Sequence, residues 1–332
     1  MEDEPKKADF ENFDSIPYSL LMHKIEKEIM SLREEKGGDE DYRAKILSKK
    51  GEFLEKMKDE NRINLTNVLF GVEELILRDK IAEQKGKKSE KLRIEDVKFQ
   101  QKVAYFLEEN ENNFNLLEDY WDLYDDLFRV ENNKTIVRGE TLKHGILAPI
   151  ALKNIMDKKY NKDNKGDNQK NAMDFIYSTP EDDVKKSIDM IAVDNEKRIN
   201  MLIQVKGDAM NKRELKEMVE SKIKSDAKIN GEREEKELIY IIPENKFSRI
   251  DTSIKDNKIN EFSGGCANYM DEQGKTLKED GFKTIGIYIY VPSLVDGERW
   301  IEINGQPHPK LTKLISDLLD LKMADTDIAK KY

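Results

Sequence analysis

Three polar residues in two otherwise apolar stretches of the chain could together bind a cation or a phosphate group. Asp189 lies within one apolar run (residues 187–193), and Gln204 and Lys206 lie near the end of the next (199–207). The polar stretch between the runs is typical of a hairpin loop, so the runs are predicted to be paired strands. Alternate side chains of a strand share a face, which puts Gln204 and Lys206 together. If Asp189 lies opposite them, burying all three without a partner would be costly, so a metal ion or a phosphate is the expected occupant.

This pattern resembles the PD-(D/E)xK nuclease superfamily, and in particular its Mrr-like branch. In that branch the last motif reads Gln-x-Lys, and the carboxylate has an Ile-Asp-hydrophobic-Ile context. The resemblance covers roughly residues 135–245. It implies an α/β fold in which a restriction-endonuclease-like mixed β-sheet core is flanked by helices, and an Mg²⁺- or Mn²⁺-dependent endonuclease activity on nucleic acid. The matching residues are Ile188-Asp189-Met190-Ile191 and Gln204-Val205-Lys206.

The resemblance implies a role for each motif residue. Asp189 would be the central metal ligand, because hard divalent cations prefer carboxylate oxygen. Gln204 replaces the carboxylate found in most of the superfamily and would bind through its amide oxygen, which carries no charge and predicts weaker metal affinity. The backbone carbonyl of Val205 would be a further ligand. Lys206 would orient or help deprotonate the attacking water and offset charge in the transition state.

Glu140 and His144 lie four residues apart in a helix predicted at about 138–158, so both project from one face. In the superfamily a Glu on the first core helix completes the metal site, and Glu140 is the candidate for that role. His144 would be a direct ligand or would support one. A purely structural histidine is the alternative.

Other carboxylates could replace Asp189 if it does not reach the site. Pro180-Glu181-Asp182 looks like the Pro-Asp pair that gives the superfamily its name, but the segment is predicted to be a turn. A turn residue faces Gln204 less readily than a strand residue does. Asp182 or Asp183 is therefore the first alternative, and Asp174 in the preceding strand is the next.

Two domains are expected from the order of predicted elements. Five amphipathic helix patterns between about residues 18 and 129 predict an α-helical domain at 1–130, with an interaction or specificity role. The aromatic stripe of the fifth helix is predicted to be core. Residues 131–332 are predicted to form the nuclease domain. Its expected elements are a helix at about 138–158, strands at 173–178, 187–193, 199–207, 238–242 and 284–291, and helices at about 211–229 and 310–323.

Composition limits the class of protein. Charged residues make up 38% of the chain and the net charge is −10, which argues against a surface coated in nucleic-acid contacts. No run of about 18 apolar residues exists, so no membrane partner is expected. One cysteine, Cys266, excludes intramolecular disulfides and a cysteine zinc site. The acidic N-terminus does not resemble a signal peptide, so we expect an intracellular protein, cytoplasmic (or nuclear in a eukaryote) and not secreted.

Nucleic acid is the expected partner, and the resemblance favours DNA over RNA. Two other functions stay open. A catalytically inactive nuclease fold could serve binding or assembly, which the amide at Gln204 and the acidic charge motivate. Alternatively, residues 1–130 could bind a protein partner, with the α/β part as scaffold. No Gly-rich phosphate loop and no Gly-x-Ser-x-Gly motif occurs, and the three histidines are too scattered for a histidine metal cluster.

Overall fold

The chain packs as two compact units in a computed structural model. The structure describes residues 13–35, 38–86, 88–129, 133–160, 174–194, 198–220, 223–226, 236–241, 261–269 and 283–319. The first unit comprises Met1–Leu92 and Tyr105–Gly139, and the second comprises Arg93–Ala104 and Glu140–Tyr332. The predicted helical domain at 1–130 includes residues 93–104, whereas these residues pack within the second unit. Separate functions for the two predicted domains stay a prediction.

Helices form the described part of the chain before residue 130. They are α1 (Tyr18–Glu34), α2 (Asp39–Leu54), α3 (Glu60–Gln84), α4 (Glu90–Glu109) and α5 (Phe114–Arg129), preceded by a single 3₁₀ turn at Phe13–Ser15. The middle of α4 belongs to the second unit and its ends belong to the first. The helical N-terminal part predicted from the sequence is therefore confirmed.

Local signals and core packing account for these helices. α3 begins where the Asp59 side chain accepts a hydrogen bond from the Arg62 amide at 3.0 Å, which satisfies one of the free N–H groups of the first turn. The aromatic stripe of α5 is buried, as predicted for a core face. The Trp121 ring lies 5.1 Å from those of Tyr120 and Tyr124, in the edge-to-face arrangement that aromatic rings favour.

The second unit contains a mixed sheet of seven described strands, in the order β1-β2-β3-β6-β5-β4 with β7 paired to β6. The pairs β1–β2, β2–β3 and β4–β5 are antiparallel, whereas β6 runs parallel to both β3 and β5. The mixed α/β class is therefore confirmed. The strands are β1 (Asp174–Tyr177), β2 (Met190–Asp194), β3 (Ile199–Met210), β4 (Ile223–Asp226), β5 (Lys236–Ile241), β6 (Lys283–Val295) and β7 (Glu298–Arg299).

Helices accompany this sheet, and two of them differ from the prediction. The helix expected at 211–229 ends at Glu220, and residues 223–226 form β4 because they pair with β5. The turn expected at 179–183 is the start of a helix, since Thr179 caps it and Pro180 suits its first position. These helices are α6 (Asn133–Tyr160), α7 (Pro180–Lys186), α8 (Lys212–Glu220), α9 (residues 261–269) and α10 (Pro309–Leu318).

Helix α6 approaches strand β3 closely at one glycine. A Cβ atom placed on Gly207 would lie 2.0 Å from the His144 carbonyl oxygen and 2.8 Å from the Ala148 Cβ. Only a residue without a side chain allows this backbone approach. Because Gly207 directly follows Lys206, the contact fixes the helix against the strand segment that carries the predicted lysine.

We expect Gly207→Ala to destabilise the protein by about 2–4 kcal/mol, since α6 must move away from β3 to admit the methyl group. The measurement is urea unfolding followed by circular dichroism. Gly51→Ala in α2 is the matched control: its Cβ would meet nothing within 4 Å, and Ala favours a helix by about 0.5–1 kcal/mol. Equal stabilities for wild type and Gly207→Ala would show that the close approach is not required.

Candidate carboxylate site at the end of the central hairpin

Asp189 is held at the start of the hairpin by main-chain and side-chain hydrogen bonds. It directly precedes β2; its N–H donates to the Ile203 carbonyl at 2.8 Å and its carbonyl accepts from the Ser178 amide at 2.9 Å. Its carboxylate Oδ2 accepts from the Val205 amide at 2.6 Å and from Gln204 Nε2 at 2.5 Å. The hairpin therefore brings Asp189 to Gln204, as the strand pattern predicted.

A second carboxyl group, Asp183 in α7, shares a side-chain hydrogen bond with Asp189. Burial, and after it the charge of Asp189, raises the pKa of Asp183 to about 8. Burial also raises the pKa of Asp189, although Lys206 and the donors around its carboxylate act in the opposite direction. Both residues are half-buried, and two carboxyl groups in contact cannot both ionise readily, so the pair holds one proton at neutral pH, with Asp183 as its donor.

Lys206 supplies the positive charge of this site. It is half-buried, and it lowers the pKa of both Asp183 and Asp189, against the effect of burial. Gln204 is only 2% exposed and donates to Asp189, so its amide fixes the carboxylate in place. The structure thus brings Asp189, Gln204 and Lys206 together; their chemical roles stay predictions.

The acid pair lies at a cavity of about 310 Å³ whose described lining belongs entirely to the second unit. The sheet and α7 contribute its charged residues, and two helices contribute mostly apolar and amide groups. Its lining residues on α4 are spaced three, four and seven positions apart, which places them on one helix face. The lining comprises Val97, Gln100, Gln101 and Ala104 of α4, Thr141, Gly145, Ile146 and Pro149 of α6, and Tyr177, Asp183, Asp189, Val205, Lys206 and Gly207.

Glu140 and His144 are not among the described residues that line the cavity. Glu140 is exposed on α6. His144 Nδ1 lies 2.7 Å from the Ser293 hydroxyl, which itself donates to the Asp208 carbonyl at 3.0 Å. The hydroxyl proton is thus used, so Nδ1 is the donor to Ser293. Burial lowers the pKa of His144, which favours this neutral ring, and the residue ties α6 to the sheet.

The remaining alternatives to Asp189 have other positions. Asp182 forms an ion pair with Lys186 at 2.7 Å and accepts a hydrogen bond from the Thr179 hydroxyl at 2.9 Å, so it serves the helix α7. Asp174 pairs with Val193 at the far end of β1. That is three residues, about 10 Å, from the strand end next to Asp189.

Oxygen ligands for a hard cation are present but few. Within the described ranges of the chain, no group of three or more His, Cys, Asp or Glu side chains is arranged to hold a metal ion. The site offers two carboxyl groups, Asp183 and Asp189, next to the amide of Gln204. This donor chemistry fits Mg²⁺ or Mn²⁺, which bind through one or two carboxylates and keep several waters. A cation that entered this site would take the place of the proton between the two carboxyl groups.

The sequence suggests Asp183 only as an alternative to Asp189, and no pattern in it points to the α4 residues. Asp183 was an alternative to Asp189, whereas the structure places it beside Asp189. The Thr179 cap and Pro180 at the start of α7 are the signals that could have located it. In a helix at 180–186, the fourth residue, Asp183, can lie next to the start of the following strand. Gln100 and Gln101 carry no local signal, because their contact with the site spans about eighty residues of sequence.

No protein-family model matches this chain, and no curated protein or solved structure is significantly similar to it. In the part of the chain that the structure describes, every helix is too short or too polar to cross a lipid bilayer.

The raised pKa of Asp183 predicts a specific dependence of stability on pH. The folded protein binds this proton more tightly than the unfolded chain does, so the free energy of unfolding falls as pH rises from about 4 to about 8. We expect the stability of Asp183→Asn, which mimics the protonated form, to rise relative to wild type between pH 5 and pH 8 by up to about 1.4 kcal/mol per pH unit. Urea unfolding in EDTA at both pH values measures the difference.

Asp182→Asn is the matched control for this series. Burial acts to raise the pKa of Asp182, but its hydrogen bonds from Lys186 and Thr179 outweigh that effect and lower it. Its contribution to stability is therefore complete above about pH 4 and does not change between pH 5 and 8. If the difference in free energy of unfolding between Asp183→Asn and wild type also stayed constant from pH 5 to pH 8, the protonated pair would be contradicted.

Proposed function

We propose that this chain is a divalent-cation-dependent endonuclease that hydrolyses phosphodiester bonds of nucleic acid, with DNA as the substrate. The observation that carries the proposal is the half-buried Asp183–Asp189 pair beside Lys206 in the wall of a cavity. Carboxylates bind hard cations, and an ammonium group beside them offsets the charge of a phosphate in reaction. One hairpin, β2–β3, positions Asp189, Gln204 and Lys206.

We further propose a restriction-endonuclease-like core for the second unit. The chain order α6, β1, β2, β3 and α8 supports it, because it matches the helix, three strands and helix that the resemblance requires, with α7 as an addition. A strand parallel to β3 follows later in the chain as β6. The sequence predicted that the last strand of this core would lie at 238–242. The corresponding strand, β5, is separated from β3 by β6.

Asp183 and Asp189 are the residues that would hold Mg²⁺ or Mn²⁺. The Val205 carbonyl is a further candidate: the N–H and C=O of one strand residue point to the same side, and the Val205 N–H points to Asp189. A cation bound here would polarise the phosphate and lower the pKa of a water ligand. The Gln204 side-chain N–H donates a hydrogen bond to the Asp189 carboxylate, which supports a role for Gln204 in orienting this carboxylate.

The residues of the chain itself would then perform three tasks. The Val205 amide and the Gln204 amide keep the Asp189 carboxylate oriented. Lys206 Nζ would offset the negative charge that grows on the phosphate as the water oxygen bonds to phosphorus and the bond from phosphorus to the leaving ester oxygen breaks. The leaving oxygen would take a proton from solvent. Asp183 holds a proton at its carboxyl group at neutral pH and becomes an acceptor for a proton from water once it has lost it.

We expect Asp189→Asn and Lys206→Met each to lower cleavage by roughly a hundredfold or more, because each removes a charge on which the reaction depends. The measurement is the Mn²⁺-dependent cleavage rate of plasmid DNA and of a single-stranded oligonucleotide. Lys313→Ala is the control, since Lys313 is an exposed lysine on α10. Wild-type protein that leaves every substrate intact would instead favour an inactive nuclease fold that serves in binding.

Metal binding should depend on pH through the acid pair. A cation must displace the proton shared by Asp183 and Asp189, so we expect Mn²⁺ affinity to rise between pH 6 and pH 8 by up to about tenfold per pH unit. Calorimetric titration measures this without any need for catalysis. In Asp183→Asn the affinity should be weaker and its dependence on pH flatter. Unchanged Mn²⁺ binding in both Asp183→Asn and Asp189→Asn would remove the pair from the metal site.

A further inference from the structure

The cavity beside the acid pair has two chemically different walls. Asp183, Asp189 and Lys206 form the charged wall, and the facing residues of α4 and α6 form the other. Among the described lining residues Lys206 is the single cation, so the charged wall suits one phosphate rather than a track of several. The acidic net charge of −10 agrees with a site that contacts few phosphates at once.

The helical wall offers what a nucleobase requires. Val97, Ile146 and Pro149 present apolar surface in this wall, and Tyr177 of β1 adds an aromatic ring to the lining. Flat bases taken out of a duplex are held between apolar or aromatic side chains and are recognised by hydrogen bonds at their edges. The wall therefore provides the surface against which a single base can stack.

Hydrogen-bonding groups for a base edge lie in the same wall. Gln101 Nε2 donates to the Ser178 carbonyl at 2.9 Å, which holds that side chain still. Gln100 is half-buried in the lining and carries both an amide donor and an amide acceptor. Pro149 lacks an N–H, so it cannot donate the usual helical hydrogen bond to the Gly145 carbonyl at the cavity wall.

The size of the cavity limits the occupant to one nucleotide. A volume of about 310 Å³ lies at the small end of ligand sites, which span roughly 300–1,000 Å³. A base pair needs the space of two bases and cannot separate from the rest of its duplex to enter such a recess. An unpaired nucleotide can enter with its base and phosphate together.

We propose that this cavity binds one unpaired nucleotide, with its phosphate at Lys206 and the acid pair and its base between α4 and α6. The inference rests on the proposed nuclease function and deepens it. Single-stranded nucleic acid, or a nucleotide displaced from a duplex, is then the substrate, and an intact duplex is a poor one.

Gly145 provides a direct test, because a Cβ at this position would meet nothing within 4 Å. Because Gly145 lies in the cavity lining, we expect the side chain of Gly145→Leu to occupy space in the cavity. Gly51→Leu is the matched control, since Gly51 is also in a helix, α2, with equally open space around its Cβ. Circular dichroism and urea unfolding verify that both variants fold.

Two measurements follow on wild type and both variants. Calorimetry with deoxynucleoside 5′-monophosphates in Mn²⁺ should show binding to wild type and Gly51→Leu, and at least about tenfold weaker binding to Gly145→Leu. Cleavage of a single-stranded oligonucleotide should exceed that of a closed hairpin duplex of the same sequence by about tenfold or more in wild type. Gly145→Leu should lose this cleavage while its Mn²⁺ affinity stays unchanged.

The two proposals fail in different ways. Equal cleavage of duplex and single strand, or mononucleotide binding that Gly145→Leu does not change, would overturn the unpaired-nucleotide site and leave the nuclease proposal standing. Mononucleotide binding that Gly145→Leu weakens, in a protein that cleaves nothing, would support the nucleotide site and overturn the nuclease proposal. Absence of mononucleotide binding to wild type would overturn the nucleotide site.

Discussion

The site depends on the hydrogen bond between the Val205 amide and the Asp189 carboxylate. β2 begins only after Asp189, so the Val205 N–H has a side chain where the strand pairing would otherwise supply a carbonyl. A buried amide left without an acceptor would cost roughly 1–3 kcal/mol, so the bond serves the sheet as well as the site. The same hydrogen bond fixes the Asp189 carboxylate at the end of the hairpin. Its donor, Val205, directly precedes Lys206 in the chain.

The local part of this arrangement could be predicted from the sequence because strands alternate. Gln204 and Lys206 share a face by their spacing, and the hairpin loop determined that Asp189 would be near them. Asp183 was harder to place because its position depends on α7, whose cap and Pro were interpreted as a turn. Gln100 could not be predicted at all, since helix periodicity locates a face but not the distant segment that the face contacts.

The fold shows the same division between local and distant information. The helices and most strands follow from periodicity, but the order of the strands does not. The apolar run at 238–242 predicts a strand, but its composition does not say which strand it pairs with. The strand there, β5, pairs with β6, and β6 is the strand next to β3. Likewise, residues 223–226 continue a helical pattern but form β4, because pairing with β5 satisfies their backbone within the sheet. Strand neighbours are decided by packing across the whole unit.

A shared proton accounts for the contact between two carboxyl groups at this site. Without a cation, Asp183 keeps its proton and donates it to Asp189, so only one negative charge faces Lys206. One lysine cannot neutralise two carboxylates, so loss of that proton would leave an excess negative charge beside Lys206. Hydrogen bonds from Val205 and Gln204 hold the Asp189 carboxylate in place. Under the proposed function, a cation would meet a carboxylate that is already oriented, which would reduce the free energy that binding must spend on ordering ligands.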